Sequence, residues 1–201
     1  MLHIIDNHLA VGCQPLLNSM FTDRKRLFVD LFGWDVPVVE GRYELDQFDS
    51  QGAVYIILTG EDGQHAASLR LLPTNRPHMM GTIFQHLCPT GVPAGDRIWE
   101  STRLCLPQRH GAERRRTLRN QLISAMVDFG LERGIERYTG VIPEPFRKEV
   151  LAMGWRAEPL GPAVPMPGGA VGAFMVHIDQ DTPLRLSWTG TYVPRTPEVT
   201  A

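Results

Sequence analysis

The stretch "RYELDQFD" at 42–49 sets Asp46 and Asp49 on either side of an aromatic, directly ahead of the apolar run "AVYIIL". Further charges fall where a strand should be apolar: Arg70 inside "SLRLLP", and Glu100 and Arg103 inside "RIWESTRLCL". A charge near a strand centre is costly to bury unless it is paired. Asp46, Asp49, Arg70, Glu100 and Arg103 thus supply three acids and two bases near one end of a sheet. Such a set can take a proton from an amine and hold a charged substrate; it can equally be an ion-pair network that serves structure. Residues two apart share a strand face, so Glu100 and Thr102 should point one way and Arg103 the other, unless a bulge intervenes.

Two other groupings carry chemistry. Arg24 and Phe28 are an i, i+4 pair on one helix face, and Trp34 follows the helix end. They can form a pocket wall offering an aromatic face and a cation to a charged ligand, or an arginine stem packed over aromatics. In "QRHGAERRRTLRN", Gly111 and Ala112 lie where a strand passes into a helix, and Arg109, Arg114, Arg115, Arg116 and Arg119 make that end basic. A helix start with arginines nearby attracts phosphate; a run of arginines can also be a solvated face.

These residues need elements to hold them. The segment 14–34 reads as an amphipathic helix through Leu17, Met20, Phe21, Leu27, Phe28 and Leu31. Runs at 53–60 and 65–73, joined by "GEDGQ", read as an antiparallel hairpin. A strand at 97–106 and a helix at 113–134, ended by Gly134, come next. "RYTGVI", the helix "PEPFRKEVLAMG" and "AVGAFMVHI" complete the αβ order. This order predicts an α+β fold, a mostly antiparallel sheet with helices on both faces, rather than a doubly wound parallel one. With 201 residues and 43% hydrophobic composition, one domain is the natural prior, here 1–180, with a Thr/Pro-rich, loosely held tail at 181–201. No apolar run reaches the roughly 18–20 residues that span a bilayer. The N-terminal "MLHIIDNHLAVG" lacks a signal peptide's continuous apolar stretch. A net charge of −2 argues against a general nucleic-acid binder. Cys13, Cys88 and Cys105 have no metal-ligand spacing and fit free thiols in a reducing cytoplasm.

Taken in order, Arg24-x3-Phe28, the "GW" ending at Trp34, "E-x-D-Q-F-D" with Asp46 and Asp49, "SLRLLPT" with Arg70, Phe84 after "MMGTI" and "WESTR" with Glu100 and Arg103 resemble the acyl-homoserine-lactone synthases. The likeness is dense over 20–106 and looser beyond, through Gly154–Trp155 and the αβ order. It implies an acetyltransferase-like fold whose central strands splay into a V-shaped gap for the acyl donor. It also implies the reaction. The amine of S-adenosylmethionine attacks the thioester of an acyl carrier protein or acyl-CoA; its carboxylate then displaces the sulfonium, closing the lactone and releasing methylthioadenosine.

The resemblance also distributes roles. Glu100 would be the general base, through water; Arg70 and Arg103 would position the acids or face the substrate carboxylate; Asp46 and Asp49 would favour the cationic substrate or buttress the arginines. Arg24, Phe28, Trp34 and Phe84 would bind S-adenosylmethionine, a substrate, with no cofactor or metal. Arg109, Arg114, Arg115 and Arg116 would meet the donor or its carrier. Ile142 stands where many relatives that prefer 3-oxo chains carry threonine, although Thr139 is near; Met126, Phe146, Val150 and Met153 are acyl-pocket lining or core. The competing reading is an acetyltransferase-fold N-acyltransferase acting on another amine, which would release no methylthioadenosine. A carrier-binding module without turnover would keep the basic helix and could lose Glu100, which this chain retains.

Overall fold

The computed structural model describes residues 1–6, 12–50 and 52–194. Strand β1 (Leu2–Ile5) precedes α1 (Gln14–Arg24), which runs into a π-helical turn at Lys25–Leu31. A short hairpin, β2 (Val38–Val39) and β3 (Tyr43–Glu44), leads to β4 (Val54–Thr59) and β5 (His65–Pro73). The single turn α2 (Met79–Thr82) and a 3-10 turn at Gln85–Leu87 come before β6 (Ile98–Cys105) and α3 (Ala112–Arg133). Then follow β7 (Arg137–Pro143), α4 (Glu144–Leu151), β8 (Arg156–Pro159), β9 (Val164–Met166), β10 (Gly169–His177) and α5 (Thr182–Trp188).

The main sheet runs β1-β4-β5-β6-β7-β10-β8, with β9 on β10. All its pairings are antiparallel except β6–β7. Strand period sorts the core between the two faces. Val54, Ile56 and Leu58 of β4 join the cluster under α3 and α4, whereas Tyr55 and Ile57 join Leu17, Met20 and Phe21 of α1. Helices therefore cover both faces, as the αβ order predicts. The inner stripe of α3 is Leu118, Leu122, Ile123, Met126 and Phe129. Gly134 ends that helix at φ 69°, a left-handed conformation in which a side chain would be strained.

The one parallel pairing is short. It consists of Ile98↔Arg137, Trp99↔Tyr138 and Glu100↔Thr139, and past these rungs β6 and β7 diverge. At the fork, a Cβ on Gly140 would lie 3.0 Å from the Ser101 carbonyl and 2.8 Å from the Phe174 ring. Glycine lets the strands start this close together before they part.

Two sequence expectations need correction. The segment 14–34 is not one regular α-helix: from Lys25 its turns widen, and Phe32 N donates to Leu27 O at 3.1 Å, an i to i−5 bond. The chain after 180 is not a loose tail throughout. Thr182–Trp188 forms α5, anchored by the fully buried Leu186, while Thr189 Oγ1 donates to Met153 O at 2.6 Å and Tyr192 OH to Asp128 at 2.6 Å. Its polar composition concealed a helix that needs only one deeply buried apolar side chain. Residues 195–201 lie outside the described residues.

Candidate active site

The turn after β3 is set by its own carboxylates: Phe48 N donates to Asp46 Oδ1 at 2.8 Å and Asp46 N to Asp49 Oδ2 at 2.9 Å. Their other lone pairs meet arginines. Arg24, leaving the end of α1, donates through Nη1 and Nη2 to both oxygens of Asp49 at 2.8 Å, and through Nε to Glu44. Arg70, in the middle of β5, grips Asp46 with Nη1 and Nη2 at 2.7 and 3.0 Å; Nη1 also lies 2.8 Å from Asp49. Arg103 donates from Nε to Glu44 at 3.0 Å and from Nη2 to Asp46 at 2.7 Å. Three cations thus face Glu44, Asp46 and Asp49 in a buried, charge-balanced network. Burial works to raise the Asp49 carboxyl, but the charges of Arg24 and Arg70 hold it well below the usual carboxylate range.

Arg103 reaches this network because β6 carries a bulge. Arg70 pairs with Thr102 and Ser68 with Cys105, so three steps on β6 match two on β5. The extra residue breaks simple alternation, and Arg103 takes φ 53°, unusual for a non-glycine residue. Such a conformation costs on the order of 1 kcal/mol or more and persists where surrounding contacts hold it; here they are the bonds to Glu44 and Asp46.

Glu100 stands apart from this balance. It has no exposure, Oε1 accepts from Met80 N at 2.9 Å, and Oε2 has no hydrogen-bond partner among the described residues. Burial raises its carboxyl to about 7, against the opposing Met80 amide. A buried acid half-ionised near neutral pH is suited to proton transfer. Met79 joins the two parts of the site: its sulfur lies 3.3 Å from Arg70 Nη2 and 3.5 Å from Arg103 Nη1, one residue from the amide on Glu100.

A cleft of about 570 Å³ opens where β6 and β7 part. Phe28, Trp34 and Arg103 line it together with Met126, Ile142, Phe146 and Val150, and with Arg115, Arg116 and Arg119 of α3. Phe28 and Trp34 stack with centroids 4.8 Å apart at 5°, and Arg103 sits 5.8 Å over the Phe28 ring. A larger polar groove, about 770 Å³, lies on the other side of the 107–111 turn and contains Arg109, Arg114, Asp23 and His65. It holds acids and bases in mixture, whereas the smaller cleft is walled mainly by apolar side chains and reached by Arg103; Glu100 lines neither, being buried next to Ser101 of the cleft wall.

Several candidate residues lie elsewhere than the sequence places them. Arg24 is 1% exposed, and its guanidinium is committed to Glu44 and Asp49 rather than to a pocket. Phe84 packs with the cluster of Met80, Leu87 and Cys88, apart from the Phe28–Trp34 stack. Met153 belongs to the core cluster and not to the cleft lining. Arg109 turns to Asp23, and Arg114 lines the polar groove, while Arg115 and Arg116 face the cleft. Sequence reasoning missed Glu44, which accepts from two arginines; the available signal was its position two residues before Asp46, on the same face of an extended segment. Met79 and Tyr55, whose hydroxyl donates to Asp49 at 2.9 Å, were also missed. Among the described residues no group of His, Cys, Asp and Glu is arranged to hold a metal ion.

Comparison with known proteins adds kinship to this geometry. The family model described as autoinducer synthase matches residues 11–185. The acyl-homoserine-lactone synthase of Ralstonia nicotianae is 33% identical over 177 residues, 85% of this chain and 86% of the relative. That of Rhizobium etli is 31% identical, covering 92% and 89%. Among solved structures, a CoA-dependent acyl-homoserine lactone synthase, BjaI, with SAM and isopentyl-CoA, is 27% identical, with TM-score 0.80 over 94% of this chain and 87% of that one. The synthase LasI, at 22% identity, shares the fold with TM-score 0.83 over 98% of each chain.

Proposed function

The chain belongs to the autoinducer synthase family, and from that membership we propose how its residues divide the synthesis of an acyl-homoserine lactone. It is an acyltransferase that joins S-adenosylmethionine to an acyl thioester. In the first step the methionyl nitrogen forms a bond to the acyl carbon as the carbon–sulfur bond of the thioester breaks. In the second, the methionyl carboxylate forms a bond to the γ-carbon as the sulfonium leaves with its electron pair in methylthioadenosine.

The amine enters as an ammonium and must lose a proton before it attacks. Glu100 takes that proton through water, and this assignment carries the reading: it is the one buried acid of the site left outside the arginine balance, with an empty Oε2. The adenine stacks on the exposed side of Trp34, whose other face is held by Phe28. Arg103 Nη1, whose described partner is the weakly accepting Met79 sulfur, meets the substrate carboxylate. Asp46, Asp49 and Glu44 hold the arginines in place. The acyl carbon lies at the fork, where β6 loses β7 as a partner and its freed backbone amides can face the oxyanion. The acyl chain runs along the cleft past Ile142 toward Phe146 and Val150. The donor is an acyl-CoA or an acyl carrier protein, delivered past Arg115 and Arg116.

We assign S-adenosylmethionine the part of substrate, with no separate cofactor. We place the enzyme in the cytoplasm, supported by its three free thiols; among the described residues no helix is long and apolar enough to cross a membrane. Incubation of the purified protein with S-adenosylmethionine and a series of acyl thioesters tests the reading. Methylthioadenosine and acyl lactone should appear in equal amounts; an acyl amide without methylthioadenosine across the series overturns it.

A further inference from the structure

Arg109 has a place in the sequence that suits a donor contact, yet its side chain does something else. Its Nη1 and Nη2 close on the two oxygens of Asp23 at 2.7 and 2.8 Å, and Nη2 also donates to the carbonyl of His65. Asp23 is 4% exposed and has a second partner, His65 Nδ1, at 2.7 Å from Oδ2; His65 Nε2 lies 2.9 Å from Ser68 Oγ. Burial lowers the proton affinity of His65, so its neutral ring donates to Asp23 and accepts from the serine. Burial opposes ionisation of Asp23, but hydrogen bonds from His65 and Arg109 bring its carboxyl down to about 2.

The connectivity gives this cluster its meaning. Asp23 and Arg24 are consecutive on α1, and one binds the 107–111 turn while the other binds Glu44 and Asp49. One turn of helix is therefore tied both to the acid–base network and to the segment that leads into α3. That segment sets the start of α3, whose Arg115 and Arg116 line the cleft. The six-residue connection 106–111 is entropically free to take many positions, and a two-point arginine–carboxylate clamp fixes orientation as well as distance.

We propose that Asp23 and Arg109 are a positioning pair that holds the 107–111 turn, and with it the start of α3, in the place where the acyl donor's pantetheine arm enters the cleft. The proposal rests on the reading of the cleft as the donor site. Neither residue touches substrate; both act through the turn.

The test measures both substrates' KM values in Asp23→Asn, Arg109→Gln, the double variant and Arg109→Lys, with octanoyl-CoA and octanoyl carrier protein as probes. Either single substitution should raise donor KM on the order of tenfold, leave KM for S-adenosylmethionine within about twofold, and speed amide exchange over 107–116 alone. The double variant should be no worse than either single one, because both remove the same contact. Arg109→Lys, which keeps the charge but not the fork, should fall between. If Arg109→Gln raises donor KM and Asp23→Asn does not, Arg109 meets the donor directly and the pair is overturned. If both KM values rise together with a loss of thermal stability, and Arg109→Lys behaves like wild type, the pair is merely structural and the proposal fails. Should the wild-type enzyme release no methylthioadenosine, the reaction assignment fails instead, and calorimetric titration with octanoyl-CoA reads the pair independently: unchanged donor affinity in both variants overturns it.

Discussion

Glu100 and Asp49 are carboxylates of one site with opposite proton affinities. Asp49 is surrounded by arginines, whereas at Glu100 burial outweighs the backbone amides of Met79 and Met80 and the more remote charges of Arg70 and Arg103. If Glu100 is the base, kcat/KM rises with pH through about 7 and levels above it. Glu100→Gln should lower turnover roughly 10²–10⁴-fold and remove that rise. Stability supplies a second check. Between its ordinary 4.5 and about 7, Glu100 binds its proton in the folded protein and not in the unfolded one. The native state therefore loses stability as pH climbs through this window, by a sum of order 3 kcal/mol. Urea unfolding at pH 5 and pH 8 should show the fall in wild type and a smaller one in Glu100→Gln; parallel falls would show that Glu100 titrates normally. Arg70, Glu100 and Arg103 were legible in the sequence because a charge inside an apolar run demands a partner. Glu44 carried only the fainter signal of its spacing from Asp46, and it is the fold that brings Arg24 and Arg103 to it.

At the scale of elements, the hairpin of β4 and β5 was readable because long apolar runs bounded by turn residues have few other uses. Short edge strands such as β1 and β8 are four rungs each, too short to leave a comparable pattern. The bulge in β6 was foreseen only as a condition, since nothing in "WESTR" announces a break in alternation; the demand of Arg103 for Glu44 and Asp46 supplies the reason. Strand β7 shows what backbone direction decides. Thr139 is wholly buried with its hydroxyl 3.5 Å from Trp99 O, whereas Ile142 lines the cleft. A 3-oxo oxygen next to isoleucine would give up a hydrogen bond at roughly 1–3 kcal/mol. Competition between matched unsubstituted and 3-oxo thioesters should favour the former by about five- to a hundredfold in kcat/KM. Ile142→Thr should narrow that ratio, and a 3-oxo preference untouched by the substitution would remove Ile142 from this role.

Over the whole molecule a net charge of −2 coexists with a basic ridge on α3. The fold divides that ridge between two surfaces, Arg114 toward the polar groove and Arg115 and Arg116 toward the cleft. Neutralising Arg115 and Arg116 should raise KM for a carrier-protein donor more than for a CoA donor, with a difference that shrinks at high salt. Equal loss for both donors at all salt concentrations would put these arginines on the phosphate that the donors share. Arg114→Gln is the control and should change little. Such a division cannot be read from "ERRRTLRN", because it depends on which way the helix is rotated against the sheet.

On the proposed reading of the cleft, the fork between β6 and β7 also works as a ruler. Its zero is fixed where the three rungs end at Glu100, and its scale runs outward toward α3 and α4. The reacting end of every donor must sit at the zero, while the far end reports length in increments of about 0.8 kcal/mol for each methylene that finds a place. Changing the far stop therefore leaves the chemistry untouched. A population of bacteria could acquire a new chemical dialect by exchanging side chains on two helices, with every residue that makes the bond left in place.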